Sequence, residues 1–132
     1  MALSAKRYTI TAALPYTNGP IHIGHLAGVY VPADIYSRYL RAQKKDVAFF
    51  CGSEGRRVAI YIKAKKEGVT AKEIIDKYDE MIRKSFVQLG ISFDNYSRTS
   101  AKIHRETASE IFTKMNDAGH FIEEVSDQLY DP

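Results

Sequence analysis

Residues 7–25 read RYTITAALPYTNGPIHIGH, and how this stretch divides decides the fold. Its first part, Arg7 to Leu14, sets Tyr8, Thr9, Ile10 and Thr11 in succession, side chains that suit an extended, pleated backbone. That part is the expected first strand. The second part breaks at Pro15, turns through Asn18-Gly19-Pro20 and delivers His22 and His25 three positions apart. Immediately afterwards, LAGVYVPADIYSRYLRAQKK (residues 26–45) places Leu26, Tyr30, Ala33, Tyr36 and Leu40 at spacings of three and four, as one buried helix face requires. Pro32 has no backbone N–H and crowds the preceding turn, so a kink, or a junction of two helical pieces, is expected near Val31.

Working outward, DVAFFCG (Asp46 to Gly52) is a short continuous apolar run bounded by charge and glycine, as expected of a strand covered on both faces and parallel to the first. Arg57 to Glu67 reads as a short helix stopped by Gly68, and Thr70 with Glu73 forms a capping-box pattern opening another. Ile74, Tyr78, Met81, Ile82, Phe86 and Leu89 share a face of that helix, and Gly90 ends it. ISFDNYSRTS (residues 91–100) suggests a third strand, and Ile103, Ile111, Phe112 and Met115 mark a last helix ending near Gly119. The tail GHFIEEVSDQLYDP has no helical period. Strand, helix, strand, helix pair, strand, helix argues an α/β fold: an incomplete doubly wound parallel sheet of Rossmann-like type, with about three parallel strands.

Composition bounds the function. The 132 residues are 45% hydrophobic, enough for one compact domain with a modest core. A net charge of +3, from 19 basic and 16 acidic residues, permits a polyanionic partner without arguing for one. The single cysteine, Cys51, excludes an internal disulfide and a zinc knuckle, and it fits a reducing compartment with the cytoplasm as default. No run approaches the ~18 apolar residues of a membrane span.

In an open parallel sheet, ligands bind at the carboxyl ends of the strands, and the loop from the first strand into the first helix is the usual phosphate contact. Gly19 and Gly24 allow close backbone approach there, and a helix beginning near Gly24 presents free N–H groups. His22 and His25 then face one side, suited to donate hydrogen bonds to phosphate oxygens whose charge grows in a transition state. No general base is implied. On spacing alone a plain helix cap is an equal account of the histidines, as a turn aromatic is of Tyr16 and a turn dipeptide of Asn18-Gly19. Lys44, Lys45, Lys63, Lys65 and Lys66 read as solvated helix surface.

ALPYTNGPIHIGH, followed by ADIYSRYLR, KAKKEGVT, FDNYSRTS and DQLYDP in order, resembles the N-terminal part of the catalytic domain of the methionyl-tRNA synthetases, class I aminoacyl-tRNA synthetases whose signature is HIGH. The resemblance implies that His22, Gly24 and His25 belong to the ATP-binding signature, the imidazoles stabilising the α-phosphate as methionine's carboxylate attacks and pyrophosphate leaves. It implies that Ala13, Leu14 and Tyr16 line the methionine pocket, Leu14 through its backbone, and that Pro15, Tyr16 and Asn18 shape the nucleotide loop. The substrates implied are methionine and ATP with Mg2+ as its complex. tRNA is a partner only of the complete enzyme, with neither a membrane nor a metal site in this chain.

One segment departs from the pattern. Where the family resembles G-S/T-D-E-H-G, this chain has CGSEGRR, with Glu54 in place of the aspartate that binds methionine's ammonium, and Arg56 and Arg57 just after it. The extra methylene moves the charge by about 1.5 Å. Glu54 and Arg57 stand three apart, so an internal ion pair is also expected as an alternative. A Lys-Met-Ser-Lys-Ser loop, a cysteine knuckle and anticodon-binding helices are absent from the sequence. Residues 1–132 therefore read as the N-terminal half of the catalytic domain, truncated near the start of the connective insertion and not aminoacylating alone. The alternative readings are a non-catalytic nucleotide-binding paralogue with an altered recognition loop, and a related synthetase for another aliphatic amino acid.

Overall fold

The computed structural model describes residues 7–126. DQLYDP, which contributed to the resemblance, lies outside them. The chain divides after Ala101 into two compact units. The first holds β1 (Tyr8–Thr11), α1 (Ile23–His25), a wide π turn (Leu26–Tyr30), α2 (Val31–Ala42), β2 (Val47–Ser53), α3 (Val58–Glu67), α4 (Ala71–Gln88) and β3 (Asn95–Arg98). The second holds α5 (Lys102–Asp117), with Phe112 stacked on Phe121 at 4.7 Å.

The three strands form a parallel sheet in the order β1-β2-β3, with Ile10 opposite Phe49 and Gly52 opposite Ser97. The helix stops are chemical. Gly68 and Gly90 adopt φ of 68° and 67°, where a side chain would be strained, and Thr70 and Glu73 cap α4 reciprocally. Pro32 falls at the start of α2. The turn before it is wound wide, the Val31 N–H reaching the carbonyl of Leu26 five residues back, so the junction expected near Val31 is a π turn.

That turn changes which residues face inward. The spacing argument put Ala33 and Tyr36 on the buried face, yet Tyr36 is 50% exposed and Asp34 and Ser37 are buried instead. Polar partners make this burial tolerable: Asp34 accepts from the Ser92 N–H at 2.7 Å and from Arg38 Nε at 2.6 Å. Burial raises its pKa, but the hydrogen bonds from Ser92 and Arg38 outweigh it and hold the carboxyl below the ordinary carboxylate range.

Two apolar clusters hold the first unit together. Ile60 and Ala64 of α3 pack on Ile74 and Tyr78 of α4. Tyr30, Ile82 and Phe86 pack against Ala12, Cys51, Phe93 and Tyr96, and Phe49 meets Phe93 at 4.5 Å between ring centroids. Each fully buried side chain of this size contributes about 2 kcal/mol by removing apolar area from water. β2 is not covered on both faces as its apolar run suggested. Phe49 and Cys51 face the helices, whereas Phe50, between them, is 40% exposed, because a strand alternates faces and the first unit covers one.

Candidate functional site

The carboxyl ends of all three strands meet. Past Thr11 the first strand leaves the ladder, then rejoins it at Tyr16, which bridges in parallel to Glu54. The Glu54 N–H donates to the Pro15 carbonyl at 2.8 Å and the Thr17 N–H to the Glu54 carbonyl at 3.0 Å. Between the two ladders, Ala13 and Leu14 bow outward. The bow is pinned by the Tyr30 hydroxyl, which donates to the Ala13 carbonyl at 2.9 Å; burial raises that phenol's pKa and keeps it a donor. Ala13, Leu14, Thr11, Ala12, Phe50 and Cys51 line an open concavity of about 350 Å³. Gly52 lets the third strand end close in: a Cβ there would stand 2.9 Å from the Ser97 carbonyl oxygen and 3.3 Å from a Leu14 methyl.

The histidines form a reciprocal cap. His22 is the N-cap of α1, and its Nδ1 accepts the Gly24 N–H at 3.1 Å; the His22 N–H in turn donates to His25 Nδ1 at 3.2 Å. The rings lie 3.9 Å apart, both exposed. Gly24 keeps the space beneath them open, since a Cβ there would stand 3.0 Å from the His22 ring and push it aside by a few tenths of an ångström. Because both Nδ1 atoms accept backbone protons, each neutral ring carries its own proton on Nε2. Capping and donation are thus not rivals. One edge of each imidazole closes the turn while the other presents an N–H outward.

Glu54 and Arg57 do not pair with each other. Glu54 Oε1 accepts from the Arg56 N–H at 2.6 Å and from the Thr99 hydroxyl at 2.8 Å, and Thr99 accepts the Gly55 N–H at 3.0 Å. Oε2 accepts from no group among the described residues. Arg57 turns to Tyr16 instead, its guanidinium 4.6 Å from the ring centroid and donating to the hydroxyl at 2.9 Å. Tyr16 keeps about half its surface exposed (48%). Asn18 meets α3 through its carbonyl, which accepts from Lys63 Nζ at 2.9 Å, so Lys63 is engaged where solvated surface was expected.

Sequence reasoning missed Thr99, Tyr30 and the Arg57–Tyr16 contact. Thr99 is 45 residues from Glu54 and acts through a fold contact no spacing rule reaches. The one available signal was its place in FDNYSRTS, directly after a strand whose carboxyl end had to face the site.

A family model described as tRNA synthetases class I (M) matches residues 8–132. The chain is similar to the methionine–tRNA ligases of Flavobacterium psychrophilum and Flavobacterium johnsoniae, 75% identical to each over 131 residues, which are 99% of this chain but 19% and 18% of those proteins. It therefore spans about a fifth of the length of these curated relatives. Among solved structures, Mycobacterium tuberculosis methionyl-tRNA synthetase in complex with methionyl-adenylate is similar at a TM-score of 0.83 and 29% identity, over 87% of this chain and 22% of that one.

Proposed function

We propose, because this chain belongs to the tRNA synthetases class I (M), that it supplies the nucleotide-binding N-terminal part of a methionine–tRNA ligase. The reaction is adenylation. A carboxylate oxygen of methionine bonds to the α-phosphorus of Mg2+-complexed ATP, the bond from that phosphorus to the bridging oxygen breaks, and pyrophosphate departs. His22 and His25 donate from Nε2 to the phosphate oxygens on which negative charge accumulates, an electrostatic role that moves no proton. Pro15, Asn18 and Gly24 shape the loop around the nucleotide. Ala13, Leu14 and Tyr16 wall the amino-acid side chain, and Glu54 offers Oε2 to the ammonium. Transfer to tRNA, in the cytoplasm, belongs to the complete enzyme. No helix among the described residues is long and apolar enough to cross a membrane.

The observation that carries this reading is the pair of imidazoles with both Nδ1 atoms held by backbone, standing at the carboxyl end of β1. A second reading, a nucleotide-binding paralogue that no longer binds the amino acid, is favoured by Arg56 and Arg57: they follow Glu54 closely in the chain, and among the described residues neither guanidinium meets a carboxylate. Methionine-dependent exchange of labelled pyrophosphate into ATP, with a full-length protein carrying this segment, separates the two. Exchange that requires methionine is expected; ATP binding with neither exchange nor methionine binding would select the paralogue.

A further inference from the structure

Glu54 is one methylene longer than the aspartate its position calls for, and the structure gives that length somewhere to go. Its Oε1 is drawn back onto its own loop by the Arg56 N–H and held from the third strand end by the Thr99 hydroxyl. Thr99 is 8% exposed, and its hydroxyl works in both senses: it donates its one proton to Glu54 and accepts from the Gly55 N–H, which together hold its rotor toward the carboxylate. The Thr99 N–H donates to the Ser53 carbonyl at 3.0 Å, which fixes the backbone on which that hydroxyl stands. One oxygen of the carboxylate is thereby occupied and the other left open.

We propose that Thr99 is a positioning residue for Glu54, retracting the longer carboxylate so that Oε2 stands as the acceptor for the substrate's ammonium. The proposal rests on the amino-acid role given to Glu54 above. Without the Thr99 hydroxyl the carboxylate keeps its charge and loses its orientation, so the loss falls on amino-acid binding, while the phosphate loop, held by the imidazole caps, is unaffected.

The test is a graded series in the full-length protein, Thr99→Ser, Thr99→Cys and Thr99→Val, read by methionine-dependent pyrophosphate exchange with Glu54→Gln alongside. Thr99→Val is expected to raise the methionine KM by roughly tenfold, as for a lost hydrogen bond to a charged group. Thr99→Cys should fall between, Thr99→Ser should stay near the parent, and kcat and the ATP KM should remain within about twofold throughout. Should Thr99→Val fail to fold, the Ser and Cys pair carries the same comparison. An unchanged methionine KM in Thr99→Val and Thr99→Cys, or equal losses in Ser and Val, or a parallel rise in the ATP KM, overturns the proposal. If Glu54→Gln also leaves the methionine KM unchanged, the carboxylate does not hold the ammonium and the underlying site reading falls with it. If Glu54→Gln raises it while Thr99→Val does not, the inference about Thr99 falls alone.

Discussion

The two edges of His22 can be separated chemically. In asparagine, Oδ1 occupies the place of Nδ1, so His22→Asn keeps the acceptor for the Gly24 N–H, 3.1 Å away in the parent, and removes the outward N–H. In glutamine the amide reaches the place of Nε2, so His22→Gln keeps an outward donor and gives up the cap. Loss of an N-cap acceptor costs about 1 kcal/mol, and asparagine is itself a favoured cap. His22→Asn should therefore match the parent in chemical denaturation to within about 0.5 kcal/mol, whereas His22→Gln should lose about 1 kcal/mol. Pyrophosphate exchange should rank them the other way. Removing a donor that acts on transition-state charge lowers kcat by roughly a hundred- to a thousandfold, so His22→Asn should be the slower enzyme while its ATP KM changes little. A His22→Asn protein with parental kcat, or rates that follow stability in both variants, would refute the outward donor and leave the histidine as a cap.

Two further outcomes follow from buried titratable groups. Burial against the helices pushes the Cys51 thiol up to about 11, so iodoacetamide should modify it at pH 8 roughly a hundredfold more slowly than free cysteine, with the rate climbing as pH rises toward that value. Asp34 has a folded-state pKa below its unfolded one, so its contribution is fully present above about pH 3.9 and is lost as pH falls through the folded value. Asp34→Asn should accordingly be less stable than the parent at pH 7, by about 1–3 kcal/mol, and the two acid-unfolding curves should converge below pH 4.

The fold was legible wherever a single residue type has one cheap use. Gly68 and Gly90 ended helices because only glycine takes positive φ freely, Thr70 and Glu73 opened one because their side chains satisfy each other's backbone, and the run after Lys45 was a strand because it was too short and apolar for anything else. Errors came where burial depended on partners distant in sequence. Asp34 looks like surface until Ser92 is placed beside it, and Phe50 looks like core until one face of the sheet is seen to carry no helix of the first unit. The site divided in the same way. PYTNGPIHIGH announced its loop, but the choice of Arg57 for Tyr16 over Glu54, and of Glu54 for Thr99, was fixed by how closely the three strand ends approach, a quantity no single segment contains.

The wide turn at Leu26–Tyr30 is in effect a phase correction of one residue inserted between the imidazoles and the rest of their helix. Each residue of an α-helix turns it by about 100°, so removing one from this turn would swing His22 and His25 a quarter-circle around the axis while Tyr30, below it, still gripped Ala13. Substitutions at these five positions alter packing but leave the angle alone. Over evolutionary time the positions before Tyr30 should therefore tolerate exchange of side chains while the whole turn refuses changes of length, behaving less like a spacer than like the setting of a dial.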